Sequence, residues 1–263
     1  MSKADINGIE LHYQSYGEGE TMVFAHGAGG NLLSWWQQIP FFSQRYRCIT
    51  FDHRGFGHSY DEPEGPGAEA FVNDLAGLLD HLQVESAHLV AQSMGGRTAL
   101  GFAVAHPDRT SSLVMADTVG GMAEPEVVEL HRKWRDSHAS HASSEAPGEA
   151  IGSRALSAGF LKRNPELANL YLQISRTNPP RPEAGVPASE GPRGAQLSEM
   201  KVPTLFIVGE EDELTPPHVI EAAAAYIPGA RVTRVPEAGH SVYFEQPNIF
   251  NFEVFRFIRS VSD

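Results

Sequence analysis

Ser93, Asp212 and His240 are the three residue types that together turn a hydroxyl into a nucleophile, and each lies just beyond a short apolar run of this chain. A serine is too weakly acidic to attack a carbonyl unaided. An imidazole must take its proton, and a carboxylate must orient that imidazole. Ser93 stands in Ala87-His88-Leu89-Val90-Ala91-Gln92-Ser93-Met94-Gly95-Gly96-Arg97-Thr98-Ala99-Leu100. This reads as a buried strand, a sharp turn with the serine at its tip, and a helix of small residues. In such a strand-turn-helix elbow the residues two before and two after the serine lie where strand and helix nearly touch, so both must be small. Gly95 fits, and Ala91 adds one methyl where glycine is more usual.

Other loops carry matching chemistry. Ala25-His26-Gly27-Ala28-Gly29-Gly30-Asn31 follows a strand directly, and its glycines free backbone N–H groups to face a ligand. Its spacing matches neither the dinucleotide fingerprint nor the Walker loop, and no Lys-Ser/Thr pair follows. The reading is an oxyanion hole, with the N–H of Ala28 joining that of Met94 on the negative oxygen of a tetrahedral intermediate. Val208-Gly209-Glu210-Glu211-Asp212 follows the penultimate strand, and Pro236-Glu237-Ala238-Gly239-His240-Ser241 follows the last one. Asp117 also follows a strand and could reach the same histidine; Asp212, in a Gly-x-x-Asp turn, is the favoured acid. His131, His138 and His141 lack cysteines or paired carboxylates at ligand spacing, so no metal site is expected.

These loops need a sheet to hold them. Asn7-Gly8 between short alternating runs predicts an antiparallel hairpin at the start. Met22–Ala25, Cys48–Phe51, His88–Val90, Ser112–Met115, Thr204–Val208 and Arg231–Val235 are short strand-forming runs with helical patterns between most of them. That alternation predicts a parallel sheet. Residues Ala68 to Leu82 and Asn248 to Ile258 show apolar residues at helical spacing. The alternation breaks once, from Ala123 to Met200, where helical patches at Glu126–Trp134, Ala155–Lys162 and Pro165–Ile174 alternate with loops at Asn178–Pro182 and Gly185–Gly194. Long inserts at strand ends are usually lids.

Composition narrows the ligand. A formal net charge of −13 disfavours nucleic acid and anionic membrane surfaces, so a neutral or weakly charged small molecule is the expected partner. The single cysteine, Cys48, leaves no internal disulfide framework and no zinc site of paired thiolates. No stretch approaches the roughly 18 apolar residues of a membrane span, and Met1–Asp5 carries no basic segment leading into an apolar one. The chain is expected to be soluble and cytoplasmic, with its oligomeric state open.

Over nearly its whole length the sequence resembles the α/β-hydrolase superfamily, through His26-Gly27, Asp52-His53-Arg54-Gly55-Phe56-Gly57-His58-Ser59, Ala91-Gln92-Ser93-Met94-Gly95-Gly96, Gly209-Glu210-Glu211-Asp212 and Gly239-His240. The order Ser, Asp, His along the chain is the one expected of that superfamily. The resemblance implies an eight-stranded, mostly parallel sheet with helices on both faces. It implies a core of residues 1–118 and 201–263, and a helical cap of 119–200 inserted after the sixth strand. It also makes the Asp52–Ser59 segment a structural turn. The expected activity is that of a cofactor-free serine hydrolase acting on a small carboxylic ester or lactone, with Ser93, Asp212 and His240 as the triad. Trp35, Met94, Met122, Trp134, Val242 and Tyr243 are expected to wall an apolar pocket. The serine argues against the dehalogenase and epoxide-hydrolase branches, which carry aspartate there. Two alternatives stay open: a C–C hydrolase of ring-cleavage dienoates, whose members share a Ser-Met-Gly-Gly run, and a hydrolase-fold sensor of small molecules. Arg97, one helical turn past Ser93, could point away to a carboxylate or inward to a substrate anion.

Overall fold

The computed structural model describes residues 2–62, 64–138, 154–180 and 191–262. Its eight strands are β1 (Ser2–Ile6), β2 (Ile9–Tyr16), β3 (Thr21–Ala25), β4 (Arg47–Phe51), β5 (Ala87–Gln92), β6 (Thr110–Ala116), β7 (Thr204–Gly209) and β8 (Arg231–Val235). They form one sheet in the order β1-β2-β4-β3-β5-β6-β7-β8. Asn7 (φ 46°) and Gly8 (φ 82°) are both left-handed, the requirement of the tight turn that joins β1 to β2. The β1/β2 and β2/β4 pairs are antiparallel and every other pair is parallel, as the sequence predicts.

The central strands are buried on both faces, which explains why they read as continuous apolar runs instead of alternating ones. Alternate residues serve opposite faces of the sheet. Val23, Leu89, Leu113 and Phe206 join one core with helices α1 (Phe71–His81), α2 (Gly95–Ala105) and a later helix, Pro217–Ala224. Phe24, Val90, Val114 and Ile207 join the other with the C-terminal helix Pro247–Ser262, through Phe250, Val254 and Phe257. Edge strand β8 is mostly exposed and carries Arg231 and Arg234, charges that discourage further strand pairing.

Between β6 and β7 lie α3 (Pro125–His138), α4 (Ala158–Arg163) and α5 (Pro165–Arg176). The helix predicted from Ala155 starts later because Ser157 is extended and caps it, its hydroxyl accepting the Phe160 N–H at 3.1 Å. The helix predicted from Ala68 begins as a 3₁₀ turn, Gly67–Ala70, whose first residue is left-handed (φ 52°), and becomes α-helical at Phe71. His141, the loop residues 181–182 and most of the loop predicted from Gly185 to Gly194 lie outside the described residues. Among the described residues no helix is long and apolar enough to cross a membrane.

The Asp52–Ser59 turn is fastened from within. Asp52 accepts the N–H groups of Leu32 (2.8 Å) and His58 (2.9 Å). Arg54 forms a bidentate pair with Asp74 of α1 (2.7 and 2.8 Å), reaches Asp61 at 3.1 Å and donates to the Asn7 carbonyl. One guanidinium thus joins the hairpin, the turn and α1. Arg54 and Asp74 are both buried, so Arg54→Met should cost about 3–5 kcal/mol by leaving Asp74 as an unpaired buried charge. Equilibrium denaturant unfolding at neutral pH measures this, and a loss under 1 kcal/mol would refute it.

Candidate active site

The elbow is enforced by close backbone approach. A Cβ on Gly95 would collide with the Ala25 carbonyl oxygen, and one on Gly96 would collide with the Thr118 side chain. Helix α2 therefore begins against β3, and the chain must turn within two residues of β5. Ser93 takes the strained left-handed conformation this demands (φ 50°). Its backbone is held on both sides: its N–H donates to Ala116 O (3.0 Å), and its carbonyl accepts from the Thr118 hydroxyl (2.8 Å).

The structure brings Ser93, His240 and Asp212 together. His240 Nε2 lies 2.8 Å from Ser93 Oγ, and Nδ1 lies 2.9 and 3.1 Å from the two Asp212 oxygens. With Nδ1–H donating to the carboxylate, Nε2 is the acceptor for the serine hydroxyl. Asp212 also accepts the N–H groups of Leu214 and Thr215, both at 2.8 Å, which fix it in the loop after β7. Burial alone would lower the His240 pKa, but the charge and hydrogen bond of Asp212, together with the charges of Asp117 and Glu245, raise the group above its ordinary value. The rival acid, Asp117, is engaged elsewhere: its two oxygens accept the N–H groups of Gly209 and Val242, each at 3.0 Å.

The glycine loop and Met94 meet at one small apolar cluster, in which Met94 packs with Phe56 and Phe71 and Ala28 lies against them. Met94 caps the start of α2, so its N–H is among those without an intrahelical partner. His26 anchors the loop from below, Nδ1 donating to Gly27 O (2.8 Å) and Nε2 accepting the His53 N–H (3.1 Å).

Of the expected wall residues Met94 stands at the elbow beside Ser93, while the others are taken up in packing elsewhere. Trp35 and Val242 are fully buried, and Trp35 packs with Phe24, Tyr243 and Phe250 in the core. Met122 packs in the opposite core. Trp134 stacks on His138, donates to Glu213 O and lines a cavity of about 600 Å³ with Leu156, Ser157, Asp212 and His218. Flanking a motif in sequence is no measure of which large apolar side chains the sheet absorbs. Arg97 is about half buried, lies against Gly121 at the start of the insertion, and is lowered from its ordinary pKa by desolvation.

Sequence reasoning missed the residues that bind the insertion to these loops. The Tyr171 hydroxyl of α5 bonds Ser241 Oγ (2.9 Å), beside His240, and would stand 3.6 Å from a Cβ on Gly29. Asn178, just past α5, accepts the Gly57 N–H (2.9 Å) and donates to Gly30 O (3.1 Å). Glu245 accepts the N–H groups of Gly239 and Ser157, both at 2.9 Å, and Gln92 donates to His240 O at 2.7 Å. Tyr171 belongs to the apolar face Ala168, Tyr171, Ile174, whose spacing signals packing but no polar target. Among the described residues no three His, Cys, Asp or Glu side chains form a metal-binding group.

The electrostatics fix a measurable property of the histidine. The His240 imidazole should titrate, by histidine-resolved NMR, with a midpoint above the ordinary value of about 6.5. Asp212→Asn should move that midpoint downward, because the imidazolium loses its counter-charge. An unchanged midpoint in the variant would contradict Asp212 as the leading source of the upward shift.

Comparison with known proteins agrees with this architecture. A thermophilic esterase from Thermogutta terrifontis superposes with a TM-score of 0.83 at 30% identity, over 99% of this chain and 98% of its own. The enol-lactonase of Burkholderia xenovorans LB400 superposes with a TM-score of 0.79 at 27% identity, over 98% and 100%. The 2-hydroxy-6-oxo-6-phenylhexa-2,4-dienoate hydrolase of Comamonas testosteroni is 29% identical over 98% of this chain and 94% of its own. The family model for the alpha/beta hydrolase fold matches residues 20–247, and the chain accordingly belongs to the α/β-hydrolase family.

Proposed function

We propose that the chain is a serine hydrolase that cleaves a small carboxylic ester or lactone through an acyl-enzyme, with no cofactor. The observation that carries this reading is the continuous pair of hydrogen bonds from Ser93 Oγ through His240 to Asp212. In the first step Ser93 Oγ attacks the carbonyl carbon while its proton passes to His240 Nε2. The carbonyl π pair moves to oxygen, and that oxyanion is held by the N–H groups of Ala28 and Met94. Collapse of the intermediate breaks the bond to the leaving alkoxide, which takes the proton from His240. Water then repeats the sequence on the acyl-serine, releasing the acid and restoring Ser93. In a lactone the leaving hydroxyl stays tethered to the acyl group. Asp212 holds the imidazole in the tautomer this requires and stabilises the transient imidazolium.

Residues 119–200 are, in this reading, a cap on a core of 1–118 and 201–263. The bonds of Tyr171 to Ser241 and of Asn178 to Gly30 support it, since they link the insertion to the loops bearing the histidine and the oxyanion donors. The named activities of the esterase and lactonase neighbours support the substrate class. C–C bond hydrolysis is the second reading, favoured by the dienoate hydrolase relative.

Two experiments test the proposal. Ser93→Ala should lower kcat by about 10⁶-fold with the fold retained, and Asp212→Asn by about 10⁴-fold. Retention of a substantial fraction of the rate in Ser93→Ala would overturn the mechanism. For the substrate, kcat/KM should be higher for a neutral acetate ester or a simple lactone than for a carboxylate-bearing ring-cleavage dienone, and Arg97→Gln should leave that order intact. A preference for the dienone that collapses in Arg97→Gln would replace ester cleavage by C–C hydrolysis.

A further inference from the structure

The chain just after β6 touches every loop that carries a triad member. Ala116 O accepts the Ser93 N–H and the Thr118 hydroxyl donates to Ser93 O, so both neighbours of Asp117 hold the serine. Asp117 itself is fully buried and left-handed (φ 52°), a conformation that costs a non-glycine residue energy unless its surroundings impose it. Its N–H donates to Ile207 O of β7 (2.8 Å). Its Oδ1 accepts the Gly209 N–H, three residues before Asp212, and its Oδ2 accepts the Val242 N–H, two residues after His240. The Asp212 N–H in turn donates to Gly209 O (3.1 Å), so Gly209 is the base of the turn that presents Asp212. One carboxylate therefore spans the two loops whose separation sets the Asp212–His240 hydrogen bond. A neutral side chain of the same size cannot accept two N–H groups on two separate oxygens.

We propose that Asp117 is a positioning residue of the triad, its carboxylate tying the Asp212 loop to the His240 loop so that the Asp212–His240 bond keeps the geometry catalysis needs. This rests on the serine-hydrolase reading above. Asp117 contacts no reacting atom and acts only through its two backbone partners. The group is conspicuous because its burial beside Asp212 is unfavourable, and the carboxyl is pushed well above its usual range by desolvation and by that neighbouring charge. Two N–H bonds and the His240 imidazole offset part of this.

The test is a double-mutant cycle, with p-nitrophenyl acetate as substrate and its acyl burst counting the competent sites. Asp117→Asn should lower kcat per titrated site by about 10²-fold, the scale of a misplaced catalytic group, with KM changed less than about threefold. In an Asp212→Asn background the same change should cost almost nothing more, because the bond it positions is already lost. Val242→Pro removes one of the two donors while leaving Asp117 intact, at the first position of a one-turn helix where proline fits, and should likewise lower kcat. A wild-type kcat per site in Asp117→Asn, or full additivity with Asp212→Asn, would overturn the proposal, as would a wild-type kcat in Val242→Pro if Asp117→Asn does not fold. Failure of the underlying reading looks different: Ser93→Ala would then keep its activity in the same assay.

Discussion

Helix α2 starts so close to strand β3 that no side-chain atom fits at Gly95. The rest of the site depends on that contact. Because the helix cannot retreat, the chain must reverse at Ser93 in a left-handed conformation, and the serine hydroxyl leaves the sheet toward the loops after β7 and β8. The strain this stores, of order 1–3 kcal/mol, is tolerated because the Ser93 backbone is bonded on both sides to the end of β6. A glycine at position 95 thus has a packing role first and a chemical consequence second.

Around this elbow the fold buries charges that would be costly alone and satisfies them with backbone donors. Asp212 accepts two N–H groups besides the imidazole. Glu245, whose carboxyl is raised by burial, accepts two more and joins the histidine loop to the start of α4. Asp117 accepts another two. The result is a histidine loop in which Gly239, His240, Ser241 and Val242 each bond a different side chain, of Glu245, Gln92, Tyr171 and Asp117 in turn. Such a loop resists displacement, and under the proposed mechanism a rigidly placed base is what catalysis requires. The insertion contributes Tyr171 and Ser157 to the same set of bonds.

Much of this was legible in the residues. Five of the parallel strands, β3 to β7, announced themselves because strands buried on both faces are nearly continuous apolar runs, and the elbow announced itself because steric crowding permits only small residues at set offsets from Ser93. The Asp212 and His240 loops followed from their position just beyond strands. What stayed hidden has a common cause. Asp117 reaches across to Gly209 and Val242, 92 and 125 residues away in sequence, and Tyr171 reaches Ser241 at a separation of 70. Periodicity shows which face a residue occupies, not which polar atom waits opposite. For the same reason Trp35 and Val242, picked out by their nearness to the motifs, turned out to pack in the core.

On the proposed reading, Ser93 is the one hydroxyl among the described residues that is activated as a nucleophile. Covalent labelling by a fluorophosphonate, followed by peptide mass spectrometry, addresses it directly. The account predicts one adduct per chain, on the peptide containing Ser93, formed more slowly as pH falls and His240 becomes protonated. An adduct on another residue, or no adduct at neutral pH with a folded protein, would contradict it.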